Sequence, residues 1–487
     1  MQKYITLFCV FLVAINLNCT SQDQVFTEEL KENIKSRIEN EIITGIVIGV
    51  ITPEGTSFYS YGVKSLETKE PVDENTVFEI GSITKTFTGV LLANEVVSGE
   101  LSLDDPLQSL LPEGITAPTR NGQSINLVHL ANHSSALPPI PNNLTPGNSS
   151  NRYGNYTKKQ LYDMLNSYEL TRDIGSEFEY SNLGMGLLGT VIADKNNTNY
   201  EDLMLKNIAK PLGMENTRIN LTPDMEKEFA KGHSNGVEVE TWKWDIPTLV
   251  GCGAIRSTAV DMLKYLAANM GIEKSELYPA MKLAHKYSGS GVGDMILGLG
   301  WITQTVEGID IVWHDGGTNG QMSFAGFTKD GKKGVVVLTN STGFPDDIGF
   351  HLLNPKSELA NPKPSIGVKL DKVIKKEGIE SAIKTYVDLK KNHPDEYDFA
   401  MQELNKLGYQ YLFNNQIKEA LGIFKINMEA FPDDWNVYDS YGEALLENNE
   451  KEKAIEYYKK SIELNPENTA GIAILKKLGV EIESVEK

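Results

Sequence analysis

A 34-residue echo near the C-terminus constrains this chain more than any other feature. Gly408, Ala420, Phe424 and Pro432 return as Gly442, Ala454, Tyr458 and Pro466, each 34 positions later. A period of this length is one supersecondary unit repeated, and a single copy cannot bury its apolar face alone. The residue types say how the unit is built. Gly and Ala let two helices approach closely, the aromatic fills the space between them, and Pro breaks the chain before the next copy. Ala382, Tyr386 and Pro394 keep the internal spacings of 4 and 8 at an offset of 38, which reads as a degenerate copy upstream. Residues 368–487 are therefore expected to form an all-α domain.

This pattern resembles the tetratricopeptide repeat, which implies paired helices offering a surface to a protein partner. Ahead of it, "NPKSELANPKPSIG" (354–367) has three prolines and few apolar residues, and 356–367 is taken as a linker. Residues 22–355 hold most of the Gly and Pro and mix two periodicities. "GIVIGVI" (45–51), "SFYSYGV" (57–63) and "GVVVLTN" (334–340) read as strands. "KTFTGVLLANEVVSG" (85–99) reads as a helix with Phe87, Val90, Leu91 and Val97 on one face and Gly99 at its end. Strands at both ends with helices between them predict a layered α/β or α+β domain.

The 487 residues leave room for two or three domains, and 40% hydrophobic with 23% charged residues is ordinary globular composition. With 46 basic against 66 acidic residues the net charge is −20, which repels nucleic acid and anionic membrane surfaces. Cys9, Cys19 and Cys252 cannot build a disulfide framework or a thiolate zinc site. At the N-terminus Lys3 precedes an uncharged stretch from Ile5 to Ile15, followed by Thr20 and Ser21. That stretch is too short to span a bilayer, so residues 1–21 read as a cleaved secretory signal and the protein as exported, periplasmic or secreted. The alternative is a lipid anchor on Cys19, although Leu17-Asn18 before it fits poorly. No other segment is long and apolar enough to span a membrane.

Three short motifs carry chemistry. Ser82-Ile83-Thr84-Lys85 is an S-x-x-K, and on a helical turn residues three apart lie side by side. A serine hydroxyl becomes a nucleophile when a base takes its proton, and a lysine serves if its pKa is lowered. Tyr180-Ser181-Asn182 can aim a phenol and an amide the same way; a tyrosinate held by cations is a base, and an asparagine can hold a substrate carbonyl. His314-Asp315-Gly316-Gly317 ends a run that reads as a strand, where glycines would admit a substrate and the Gly317 N–H could face a carbonyl oxygen. No G-x-S-x-G elbow, H-E-x-x-H zinc motif or phosphate-binding G-x-x-x-x-G-K-[ST] loop is present.

Taken in that order, the motifs resemble the serine β-lactamase and penicillin-binding-protein family, in the class C-like branch with D-aminopeptidases, D-Ala-D-Ala carboxypeptidases and esterases. The resemblance covers about residues 30–350 and includes "GELSLDDPLQSLLP", "LVHLANHSSALP", "KPLGMENT", "GCGAIRST" and "GLGW". It implies an antiparallel sheet flanked by helices, an all-helical lobe, and a site between them that needs no metal or cofactor. It further implies Ser82 as acylated nucleophile, Lys85 as proton acceptor or relay, and Tyr180 as partner base. Asn182 would position the substrate amide, His314 and Gly316 would line the opposite wall, and the N–H groups of Ser82 and Gly317 would form the oxyanion hole. Two segments depart from the family. His-Asp-Gly replaces the Lys-Thr-Gly of class C β-lactamases, and Ala136 replaces Gly in His133-Ser134-Ser135-Ala136-Leu137. The expected function is an exported serine hydrolase working through an acyl-enzyme on an ester, an amide or a D-amino-acid peptide. The alternative is a non-catalytic penicillin-binding or cell-wall-peptide receptor whose repeats recruit a partner protein.

Overall fold

The computed structural model describes residues 25–144, 153–234, 236–286, 288–343 and 345–480. The signal or lipid-anchor reading of residues 1–21 lies outside them. β1 (Gly45–Thr52) and β2 (Gly55–Gly62) form a hairpin at one edge of an eight-stranded sheet. β3 (Ser290–Val292), β4 (Met295–Leu297), β5 (Ile302–Val306), β6 (Ile309–Gly317), β7 (Met322–Thr328) and β8 (Gly334–Thr339) complete it. The order is β2-β1-β8-β7-β6-β5-β4-β3, antiparallel throughout. The N-terminal hairpin thus pairs with the last strand of the domain, nearly 300 residues away in sequence.

β1 is apolar on both faces because both are covered. Ile46, Ile48 and Val50 join Val335 and Val337 of β8 against α1 (Glu28–Glu39) and α6 (Asp346–Leu353). Val47 and Ile51 face the other way, with Val336 and Leu338, onto α5 (Ala259–Met270) and α2 (Thr84–Val97). α3 (Lys158–Ser167) and α4 (Asn182–Lys195) extend that second layer into a helical lobe. α2 is buried almost all round, including Phe87, Val90 and Leu91. Val97 departs from the expected face: it is 50% exposed, because the last turn of α2 emerges from the lobe.

The repeat region has its own cores. α7 (Ile366–Glu377), α8 (Ile379–Asn392), α9 (Met401–Phe413), α10 (Ile417–Ala430), α11 (Trp435–Glu447), α12 (Lys451–Leu464) and α13 (Thr469–Lys477) follow one another with short turns. Gly408 faces the Phe424 ring, and a Cβ at Gly442 would stand 3.1 Å from the Tyr458 ring. The two recurring pairs are therefore one contact made twice, glycine of the first helix against aromatic of the second. Ala382 and Tyr386 of the degenerate copy are likewise buried in α8. No helix among the described residues is long and apolar enough to cross a membrane.

Candidate active site

Ser82 sits in the 3₁₀ turn Gly81–Ile83 that runs directly into α2. Two glycines allow this turn to lie against the end of β6. Gly81 has φ 49°, and a Cβ there would come 2.6 Å from the Gly317 backbone nitrogen. A Cβ on Gly316 would collide with the Ile80 carbonyl. Gly316 is thus first a packing requirement of the serine turn rather than an open patch of substrate wall. Ser323 of β7 adds a tie, donating to the Ile80 carbonyl at 2.9 Å. Gly81→Ala combines a disfavoured φ with a backbone clash, so it should separate the turn from β6. A displacement of about 1 Å costs about 10²-fold in rate, and at least that loss in kcat/KM is expected, measured beside a melting curve to confirm folding.

Lys85 lies one helical turn after Ser82 and is fully buried. Its Nζ stands 2.9 Å from Ser82 Oγ and donates to the Cys252 carbonyl at 2.6 Å. Loss of water disfavours the ammonium, and burial brings the Lys85 pKa down to about 8, with Cys252 and Asp315 opposing part of the drop. The Cys252 thiol is itself pushed up to about 11 by burial.

Tyr180 precedes Ser181, the N-cap of α4, whose Oγ accepts from Gly184 N at 2.9 Å and donates to the Pro138 carbonyl at 2.7 Å. Lys85 Nζ is 4.7 Å from the centre of the Tyr180 ring, which places the phenol beside Ser82 and Lys85. Burial drives the Tyr180 pKa well above its ordinary value. This corrects the expectation of a tyrosinate: desolvation keeps the proton on Tyr180, which is a phenol in the free protein. Asn182 opens α4, and its Nδ2 donates to Tyr153 Oη at 3.2 Å.

His314 lies on β6 across from Tyr180, with ring centres 6.3 Å apart. Its Nδ1–H donates to the Asp315 carbonyl at 2.5 Å, leaving Nε2 as an acceptor. Burial lowers the His314 pKa from its ordinary value; Asp315 opposes the shift and Lys85 adds to it. The Nδ1–H is committed to the backbone and is not free for a ligand. β5 pairs with β6 only as far as Trp313. From His314 to Gly317 the β5-side edge of β6 has no strand partner among the described residues, although β7 continues on the other side. An extended acyl chain could lie along that edge.

A model of the β-lactamase family matches residues 30–352. The chain belongs to the β-lactamase family. A tetratricopeptide-repeat model matches residues 435–468 in the tail. The β-lactamase of Escherichia coli K12 is 26% identical over 394 residues, covering 72% of this chain and 98% of that relative. The E. coli K12 D-alanyl-D-alanine-carboxypeptidase/endopeptidase AmpH is 30% identical over 268 residues, covering 53% of this chain and 68% of that protein. The crystal structure of a β-lactamase/D-alanine carboxypeptidase from Pseudomonas syringae shares the fold, with TM-score 0.59 and 22% identity over 70% of this chain and all of that one.

Several groups around this β-lactamase-family site had no role assigned from sequence. The Cys252 carbonyl holds Lys85 from 167 residues away. His133 packs its ring 4.6 Å from that of Tyr180 at a tilt of 33°, accepts the Ser181 N–H on Nδ1 at 3.1 Å, and takes the Glu179 N–H on its carbonyl at 2.8 Å. It therefore sets the backbone on both sides of Tyr180. Burial and Lys85 push its pKa well below the ordinary value. The His-Ser-Ser-Ala-Leu segment was the available signal for His133. Its Ala136 has φ 62°, the left-handed region that glycine enters freely. Tyr153 left no signal in the sequence.

Proposed function

We propose that the protein is an exported serine hydrolase that forms an acyl-enzyme on Ser82. The observation that carries this reading is the 2.9 Å contact between Ser82 Oγ and an amine that is fully buried and has a pKa near 8. Neutral Lys85 accepts the hydroxyl proton as the Ser82 Oγ–acyl bond forms. Tyr180, whose ring lies 4.7 Å from Lys85 Nζ, passes a proton to the leaving group as the bond to the acyl carbon breaks. Water then enters with the same pair acting in reverse. Backbone N–H groups of Ser82 and Gly317 would hold the oxyanion, and Asn182 the acyl side of the substrate. Export is proposed from the signal-like pattern of residues 1–21, and partner binding from the repeats.

The substrate we favour is an ester, a small amide or a D-amino-acid peptide rather than a β-lactam. β-Lactams carry a carboxylate, and a lysine in the third motif would pair with it. Here the position holds a neutral imidazole followed by Asp315, whose side chain is 32% exposed. A charge-assisted hydrogen bond is worth about 1.5–3 kcal/mol, so an anionic substrate forgoes roughly 10- to 150-fold in affinity. Neutral substrates forgo nothing. Parallel assays with a p-nitrophenyl ester, a D-alanyl amide and a chromogenic cephalosporin test this choice; equal turnover of the cephalosporin and the ester at pH 7 would overturn it.

The pH dependence follows from the two shifted groups. Neutral Lys85 is the reactive form and its pKa is about 8. Activity on a neutral ester should therefore climb about tenfold per pH unit below 8 and level off above it. His314 becomes cationic only below its ordinary value of 6.5, so it adds no limb between pH 7 and 9. A flat kcat/KM profile from pH 6 to 9 would remove Lys85 as the base.

A further inference from the structure

Beside the acyl-side amide of the site lies a group of aromatic rings that no step above uses. Tyr153 is 4% exposed, its ring stacked on Trp244 with centres 5.6 Å apart at 16°. Trp242 meets the same ring edge-on at 5.8 Å and 87°. Two tryptophans thus leave the phenol little rotational freedom. Its Oη accepts from Asn182 Nδ2 at 3.2 Å. It also lies close enough to Tyr180 to act on it electrostatically. Asn182 is held at its backbone too, where its N–H donates to the Pro139 carbonyl at 2.9 Å.

A carboxamide on a two-bond stem can turn either end toward a ligand. The bond to Tyr153 breaks that symmetry. One Nδ2 hydrogen is committed to Tyr153, so Oδ1 and the second Nδ2 hydrogen keep a set orientation, and either can pair with one half of a trans secondary amide, Oδ1 with its N–H or Nδ2–H with its C=O. An ester with no amide in its acyl part gains nothing from this arrangement.

We infer that Tyr153 is a positioning residue acting through Asn182, and that it selects acyl groups carrying a secondary amide beside the reacting carbonyl, as in a peptide, over plain alkanoyl groups. Tyr153 need not touch the reacting atoms. The inference rests on the proposed role of Ser82, so its test must tell the two apart.

Two boronic acids do this, because boron accepts the serine oxygen as a reversible tetrahedral adduct. Methylboronic acid reports on Ser82 alone; acetamidomethylboronic acid adds one secondary amide. Inhibition constants would be measured for the wild type, Tyr153→Phe, Asn182→Ala and the double variant. Tyr153→Phe keeps the ring in its stack and deletes the acceptor. The preference for the amide-bearing inhibitor should fall about 3- to 10-fold, with methylboronic acid unchanged and no further fall when Tyr153→Phe is added to Asn182→Ala. An unchanged preference in Tyr153→Phe overturns the inference. So does an equal fall in the Asn182→Ala background, which would place Tyr153 outside the Asn182 pathway. Failure of methylboronic acid to bind the wild type would instead overturn the Ser82 reading, and this inference with it.

Discussion

Ser82→Ala should abolish hydrolysis while leaving the fold in place. The substitution deletes one oxygen from a partly exposed turn and keeps the Cβ. Lys85 loses its 2.9 Å partner but keeps the Cys252 carbonyl at 2.6 Å, so no buried cation is left unsatisfied. The turn itself is held by Gly81 against Gly317 and by Ser323 on Ile80, neither of which involves the hydroxyl. Loss of a serine nucleophile costs on the order of 10⁶ in kcat, and the remaining binding and oxyanion groups can leave about 10³–10⁴ over water. The check is ester turnover beside a melting curve, with mass-spectrometric detection of an adduct on Ser82 in the wild type. Near-native kcat in Ser82→Ala would end the serine-hydrolase proposal.

The second large effect is expected at Lys85 and Tyr180, and its signature is that the losses do not add. Lys85 Nζ contacts the Ser82 hydroxyl at 2.9 Å, and the same amine sits over the Tyr180 phenol ring at 4.7 Å. A proton leaving Ser82 therefore meets a single relay. Lys85→Met removes the amine and keeps an apolar side chain of similar length in the buried space. Tyr180→Phe keeps the ring against His133 and removes only the hydroxyl. Each should lower kcat/KM by about 10²–10⁴, and the double variant should be no worse than the lower single by more than a few-fold. Multiplying losses would show two independent roles. Lys85→Met should also erase the rise in activity toward pH 8, a readout that mere loosening of the site would not produce.

Much of the fold was legible because its signals are local. The run GIVIGVI could be read as a strand because every residue is apolar or glycine, and the structure sandwiches β1 between α1 and α5. The repeat was legible because one contact, glycine against aromatic, is made twice at a constant spacing. Val97 was misread because helical periodicity says which residues share a face, but not where a helix leaves the body it packs on. The site divides the same way. Ser82 and Lys85 are three residues apart on one turn, so their contact follows from helix geometry. His133 and Tyr153 act across 48 and 29 residues, to Ser181 and Asn182 respectively, and short-range pattern carries no trace of such distances.

By itself the sequence determined a layered domain of strands and helices, a repeated helical tail, and which side chains could meet in S-x-x-K, Y-x-N and H-x-G. These depend on spacing and residue type, which a linear chain displays. Only the tertiary structure decided their charge states. Excluding water from Lys85 lowers its pKa to about 8, and excluding it from Tyr180 raises that pKa, so the neutral amine comes within reach near neutral pH while the phenol holds its proton. The direction of the His314 proton was decided there too, by a backbone carbonyl within 2.5 Å. Protonation depends on how much solvent and how many dipoles surround a group, and both are set by segments far apart in the chain.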